Sequence, residues 1–372
     1  MAGEHSFSSF LRVPSPINIF SSMAESLGYK LELSPSGRTC KQIIEAIGGI
    51  GGIGIVARSP ELLNFLDRLA HEDLEIELDG EEGDELKRRK LSKGFAQLPQ
   101  ITEVLGRVNA GGLSNSSRHL NALVRSHVLK LGMALRCTEC LHTSWFSLES
   151  VVPRMSCPRC LKKFSFPSAS PPRRDDWAYR VIGPFTTGHL TGGAYCVATA
   201  LNFLSEKVAR ESNWVPSFTM SDLKGKEFES NFGMLAAPSR SSHTSSPHLI
   251  IGECKSFNRF AQKDFARAEQ AATLFPGAVL CFCTFNESLD KKEIKGVTKL
   301  AKRGRKRMDV GKQMNPVLIF TARELFSEFK VRDFYSLYGD KADYARSVYM
   351  RDDMQELCVS LHNNSISECV IS

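Results

Sequence analysis

No apolar run in this 372-residue chain is long enough to cross a bilayer. The longest, Ile47 to Ala57, is interrupted by five glycines, whereas a helical span needs about 20 apolar residues. The opening MAGEHSFSSF has no basic stretch leading into an apolar one, so no secretory signal is expected. No internal repeat is evident, and neither sign of charge is scarce. Lys and Arg number 48 against 41 Asp and Glu, with 42% hydrophobic and 24% charged residues. That balance excludes a wholly disordered or fibrous chain and leaves enough apolar side chains for a packed core. The cysteine count of 11 is odd and does not suit a simple disulfide framework. A reducing compartment, the cytoplasm, is the expected setting. The net charge of +7 and pI near 8.8 suit an acidic polymer as partner.

Among the residues that are present, the cysteines carry the sharpest pattern. Cys137 and Cys140 form one CxxC pair, and Cys157 and Cys160 form a second after 16 intervening residues. Each CxxC turn aims two sulfurs at one point, and two such turns across a short hairpin complete a tetrahedron. Four thiolates leave no open coordination position, so the expected ion is a structural zinc. The helical spacing of Leu120, Leu123, Val124, Val128 and Leu131 predicts a helix from His119 to Met133 leading into it. The segment FPSASPPRR, 166–174, reads as a linker.

Upstream, the spacing predicts helices over Cys40–Ile47 and Pro60–Leu69, separated by GGIGGIG. Gly49, Gly51 and Gly54 match the letters of a phosphate-cradling GxGxxG, but that motif requires a preceding strand. A turn is expected instead. Glu72 to Glu85 holds nine acidic side chains and is followed by Lys87, Arg88, Arg89, Lys90 and Lys93, which reads as a solvated segment.

The second strong pattern is HLIIGECKSF, 248–257. As a strand it places Ile251, Glu253 and Lys255 on one face and Ile250, Gly252 and Cys254 on the other. A carboxylate and an ammonium ending an apolar strand need a reason, because burying either unpaired is costly. EFESNFGMLA, 227–236, predicts a hairpin partner with Glu229, Asn231, Gly233 and Leu235 on one side. A helix over about 257–275 follows, with Arg259, Lys263, Arg267 and Gln270 expected on one phosphate-facing side. Strands are expected at 278–285 and 317–321, and a helix at Ala194–Leu204. A helix over Asp290–Leu300 is expected to give way to a solvated basic loop holding Lys302, Arg303, Arg305, Lys306 and Arg307. A terminal helix is expected over Ala342–Leu361.

The order of helix, strand pair, helix and strand over residues 176–330, with Glu253-Cys254-Lys255 on its strand, resembles the PD-(D/E)xK nuclease superfamily. The resemblance implies a restriction-endonuclease-like core with a mixed central sheet flanked by helices, within an α+β and α/β multidomain chain. The expected divisions are a helix-rich region at 1–118, a helix and zinc ribbon at 119–170, the nuclease-like core at 171–335, and a helix and tail at 336–372. It further implies Mg²⁺- or Mn²⁺-dependent hydrolysis of DNA or RNA. Glu253, Asn231 and the Cys254 carbonyl would hold the ion, Glu229 would assist, and Lys255 would act on the attacking water. Arg259, Lys263, Arg267 and the cations at 302–307 would contact phosphates. A role in defence or DNA processing follows, with a helicase or ATPase subunit, or a second copy of the chain, as partner. The sequence departs from the family at Asn231, where the superfamily has aspartate. An amide brings no charge to a hard cation, so a silent, nucleic-acid-binding subunit is the alternative.

Overall fold

The computed structural model describes residues 14–70, 94–108, 113–166, 172–209, 211–237, 247–309 and 315–326. The acidic block at 72–85 and the expected helix Ala342–Leu361 lie outside them. Among the described residues no helix is long and apolar enough to cross a membrane, and all nine described cysteines are free.

Two serine–proline pairs start the first helices. Ser15 caps α1 (Pro16–Ser26), accepting from Asn18 N, and Ser34 caps α2 (Pro35–Ala46), accepting from Gly37 N. Proline at the first helical position loses nothing, since that N–H has no intrahelical partner. β1 (Tyr29–Leu33) runs between them. After α2 comes the glycine-rich segment, a short 3₁₀ turn over Ile50–Ile55 that buries Ile53. Asn202 Nδ2 donates to Ile50 O at 3.0 Å and holds the turn in place. A helix precedes this turn, so the dinucleotide-binding context is absent. α3 (Pro60–Ala70) buries Leu62, Leu63, Leu66 and Leu69, the expected stripe.

β2 (Ala96–Gln97), α4 (Leu98–Val108) and α5 (Leu113–Arg125) follow. The expected helix through Met133 stops short. His127 turns the chain at φ 55°, and β3 (Leu129–Arg136) begins. Pairing decides this: β3 lies directly between β4 (Thr143–Ser147) and β7 (Trp177–Val181), and the short ribbon strands β5 (Arg154–Ser156) and β6 (Lys163–Ser165) come between those two in the chain. Gly132 allows that pairing, because a Cβ there would sit 2.5 Å from the Trp145 indole. The order of this antiparallel sheet is β2-β7-β3-β4, while β5 and β6 pair only with each other.

α6 (His189–Phe203) leads to β8 (Glu211–Asp222), β9 (Glu227–Ala237) and β10 (His248–Lys255). α7 (Gln262–Leu274), β11 (Val279–Thr284), α8 (Lys291–Asp309), β12 (Val317–Phe320) and α9 (Ala322–Leu325) complete the described chain. The main sheet is mixed, in the order β1-β8-β9-β10-β11-β12. Its first four strands are antiparallel and its last pairs parallel, as helical crossovers through α7 and α8 require. One face packs α1, α7 and α8 around Phe265, Phe282 and Val297. The other packs α2, α3 and α6 in a cluster that runs from Cys40 to Leu325. β1, drawn from the stretch expected to stand apart as residues 1–118, is therefore an edge strand of the main sheet. β7 joins the ribbon side although it follows the expected boundary near 171.

Two further expectations change. The helix before β11 starts at Gln262, because the buried Glu293 carboxylate accepts from Phe260 N at 2.7 Å and holds the preceding loop extended. The basic residues 302–307 continue α8 rather than forming a loop, and Arg303 pairs with Glu269 at 2.9 Å.

Gly252 sits under the Phe232 ring, where a Cβ would approach ring carbons to about 2 Å. Phe232 is fully buried, so Gly252→Ala is expected to cost about 3 kcal/mol through overpacking. Urea unfolding measures it, and an unchanged midpoint would contradict the packing described.

Candidate functional site: a four-sulfur centre and a buried carboxylate cluster

The two CxxC turns meet as the spacing requires. Cys137 Sγ lies 3.8 Å from Cys160 Sγ, and Cys140 Sγ lies 3.6 Å from Cys157 Sγ. All four ligand atoms fall within 4.8 Å of one another. A tetrahedral ion with metal–sulfur bonds of about 2.3 Å needs sulfur–sulfur edges of about 3.8 Å, so these residues fit a metal ion such as zinc. The turns are built alike. Leu141 N donates to Cys137 O and Leu161 N to Cys157 O, and both leucines adopt left-handed φ near 60°. Backbone N–H groups, that of Cys160 foremost, draw the Cys157 thiol down to about 7, whereas Cys160, despite the Lys162 N–H, is pushed up to about 11 by burial and the neighbouring sulfurs.

The second cluster forms where β9 and β10 part. Their ladder ends at Gly252↔Phe232. Beyond that rung Asn231 Oδ1 accepts from Cys254 N at 2.8 Å, and Ser230 Oγ donates to Gly252 O. The β8–β9 register also lacks the pair Ser217↔Asn231, where Ser217 Oγ donates to Asn231 O instead. The expected single face for Glu229, Asn231, Gly233 and Leu235 does not hold through this point. Leu235 packs on the α7 side and Phe232 and Met234 on the other, yet Phe228 is again on the α7 side. The strand switches faces at Asn231 because its hydrogen bonds there run through side chains.

On β10 the expected alternation holds. Ile251 packs on the α7 side, and Ile250 and Cys254 on the α6 side. Glu253 is 5% exposed, and neither of its oxygens has a hydrogen-bond partner. Burial pushes its pKa up to about 7; Arg267 opposes this most, and Asp264 adds to it. Lys255 Nζ lies 3.0 Å from Asp264 Oδ1, and Asp264 is fully buried at the start of α7 with Oδ2 accepting from Ala261 N at 2.7 Å. Arg267 Nη2 lies 2.7 Å from Glu229 Oε2, and its Nη1 is 3.5 Å from Glu253 Oε1. A narrow pocket between sheet and helix is lined by Glu229, Glu253, Arg267, Ile251 and Phe282, among others.

Glu229, Glu253 and Lys255 thus belong to one charged cluster, tied together by Arg267 and Asp264. Asp264 was not singled out from sequence. Its signal was its place nine residues after Lys255, where the first turn of the next helix faces the strand. Neither Glu253 oxygen is taken by a protein donor, whereas Asn231 spends its amide oxygen on the β10 backbone.

The expected phosphate-facing stripe divides. Arg259 lies ahead of α7 and is held by Glu293 at 3.1 Å and by Ser288 O at 2.6 Å. Arg267 turns inward, and Gln270 donates to Glu227 O. Lys263, Lys302 and Arg303 are exposed. Arg305, Lys306 and Arg307 fall in the last turns of α8.

No family model and no curated protein matches the chain. Among solved structures it is similar to protein VC1899 from Vibrio cholerae, at 11% identity and a TM-score of 0.33. The match covers 82% of this chain and 58% of that one, so the chain spans under two thirds of that protein's length. A likeness at this level assigns neither fold family nor function.

Proposed function

We propose that the chain is a metal-dependent nuclease of the PD-(D/E)xK type, carrying a structural zinc ribbon and acting on DNA. The observation that carries this reading is Glu253: a buried carboxylate whose two oxygens lack hydrogen bonds, two residues from an ammonium held by a buried aspartate. Buried polar groups are otherwise nearly always satisfied, and a structural ion pair would satisfy Glu253 with its own partner. Here Lys255 pairs with Asp264 instead.

Bound Mg²⁺ or Mn²⁺ would supply Lewis acidity and a water of lowered pKa. Glu253 would hold the ion, with the Cys254 carbonyl beside it and Glu229 at the exposed rim. Lys255, fixed by Asp264, would orient the attacking water and offset charge gathering on the phosphate oxygens. Lys263, Lys302 and Arg303 would add sequence-independent phosphate contacts.

The test is nicking of supercoiled plasmid with Mn²⁺. Lys255→Ala is expected to lower the rate about 10²–10³-fold, as when a charge-stabilising donor is removed. Asn231→Asp is expected to raise it, since aspartate keeps an acceptor for Cys254 N and adds an anionic oxygen. Equal cleavage by wild type and Lys255→Ala would remove this site from the chemistry. A second reading, a silent DNA-binding subunit of a larger complex, draws on the bond between Asn231 Oδ1 and Cys254 N. It requires DNA binding without metal-dependent cutting in either the wild type or the Asn231→Asp form.

A further inference from the structure

Arg267 lies three residues along α7 from Asp264 and forms ion pairs with three carboxylates. Its shortest contact is the ion pair to Glu229, at 2.7 Å. Its contacts to Glu253 at 3.5 Å and Asp264 at 3.6 Å exceed hydrogen-bond length. Glu253 therefore faces a guanidinium charge while its oxygens stay open. Asp264 does not need the guanidinium, because Lys255 and Ala261 N already occupy its two oxygens. Glu229 has a half-exposed side chain and can keep its partner at the rim.

A divalent ion would bind a Glu253 oxygen at about 2.0–2.1 Å for Mg²⁺. It would then enter the 3.5 Å gap that Arg267 Nη1 now spans, placing two positive charges against a third. We infer that Arg267 is the resident counter-ion of Glu253 and that a divalent cation must displace it, so that Arg267 sets the metal affinity of the site. The displacement is short: Arg267 keeps Glu229 and releases Glu253. This inference rests on the reading of Glu253 as a metal ligand, and makes Arg267 a positioning residue rather than a phosphate contact.

The experiment is Mn²⁺ binding to the full zinc-loaded chain, followed by the electron paramagnetic resonance signal of free Mn²⁺. Wild type is compared with Arg267→Met, with Glu253→Gln, and with both changes together. Arg267→Met keeps most of the side-chain volume and removes the charge. It is expected to bind Mn²⁺ about tenfold or more tightly than wild type, because a like charge no longer faces the incoming cation. The double variant is expected to lose the gain. Equal or weaker binding by folded Arg267→Met, with binding still abolished by Glu253→Gln, overturns the role of Arg267 and leaves the metal site standing. Binding in no form, or binding indifferent to Glu253→Gln, overturns both. Should Arg267→Met fail to give a cooperative unfolding transition, Arg267→Lys serves in its place. Lysine keeps the charge but cannot fork between two carboxylates, so its Mn²⁺ affinity is expected to exceed that of wild type, and equal affinity overturns the inference.

Discussion

Removing metal from the four-cysteine centre is expected to melt the two CxxC turns with β5 and β6 while the six-stranded sheet stays folded. The ribbon has little else to hold it. Its buried cluster consists of Met133, Leu135, Cys137, Met155, Cys157 and Phe164, and two of these six are the sulfur donors themselves. β5 and β6 are three residues each and pair only with one another, and an isolated two-stranded hairpin is marginal in water. Structural zinc contributes about 10–16 kcal/mol to such folds at neutral pH, far beyond what that cluster supplies. Chelation, or Cys157→Ser, should therefore abolish hydrogen-exchange protection in β5 and β6. Protection should persist in β10 and β11, whose faces are sealed by separate cores. Metal analysis should give one zinc per chain, and full ribbon protection after chelation would rule out a metal centre there.

Glu253→Gln is expected to gain on wild type in stability as pH rises, by about 3 kcal/mol between pH 4.5 and 8. The folded-state pKa of Glu253 is raised from 4.5 to about 7, so the folded protein prefers the protonated form. Stability associated with that proton is complete below the unfolded value, and is lost as pH climbs through the folded one. Each unit of difference is worth about 1.4 kcal/mol, and the group is buried enough for solvent screening to matter little. Glutamine has no proton to lose and should show none of this slope. Urea unfolding of both forms across that pH range measures the difference. Parallel stability curves would mean that Arg267 fully compensates the Glu253 charge.

Parts of the site were legible at particular residues. The CxxC spacing places four sulfurs together because each turn is local, and one short-range geometry serves both pairs. Period-two alternation correctly put Glu253 and Lys255 with Ile251, since β10 keeps an unbroken parallel register with β11 from Ile250 to Lys255. The same rule failed on β9. At Asn231 the ladder is carried by side chains, and a strand that switches faces leaves no trace in an alternating pattern. Helical periodicity likewise carried α5 too far, because leucines and valines suit either state and the strands beside 129–136 come from 143–147 and 177–181. The basic run at 302–307 was read as a loop from charge alone, although α8 runs through it.

The chain's own order of residues determined the metal-binding turns, the helix starts at Ser15 and Ser34, and the strand that ends in Glu253 and Lys255. The turns and helix starts depend on contacts within a few residues, and the strand on its own alternation. Tertiary structure alone decided that Lys255 pairs with Asp264, that Arg267 spans Glu229 and Glu253, and that Arg259 is spent on Glu293. An ionic partner is chosen by proximity in a low-dielectric interior, where a charge without a counter-charge is expensive. That proximity is set by how α7 and α8 lie on the sheet, which no single segment encodes.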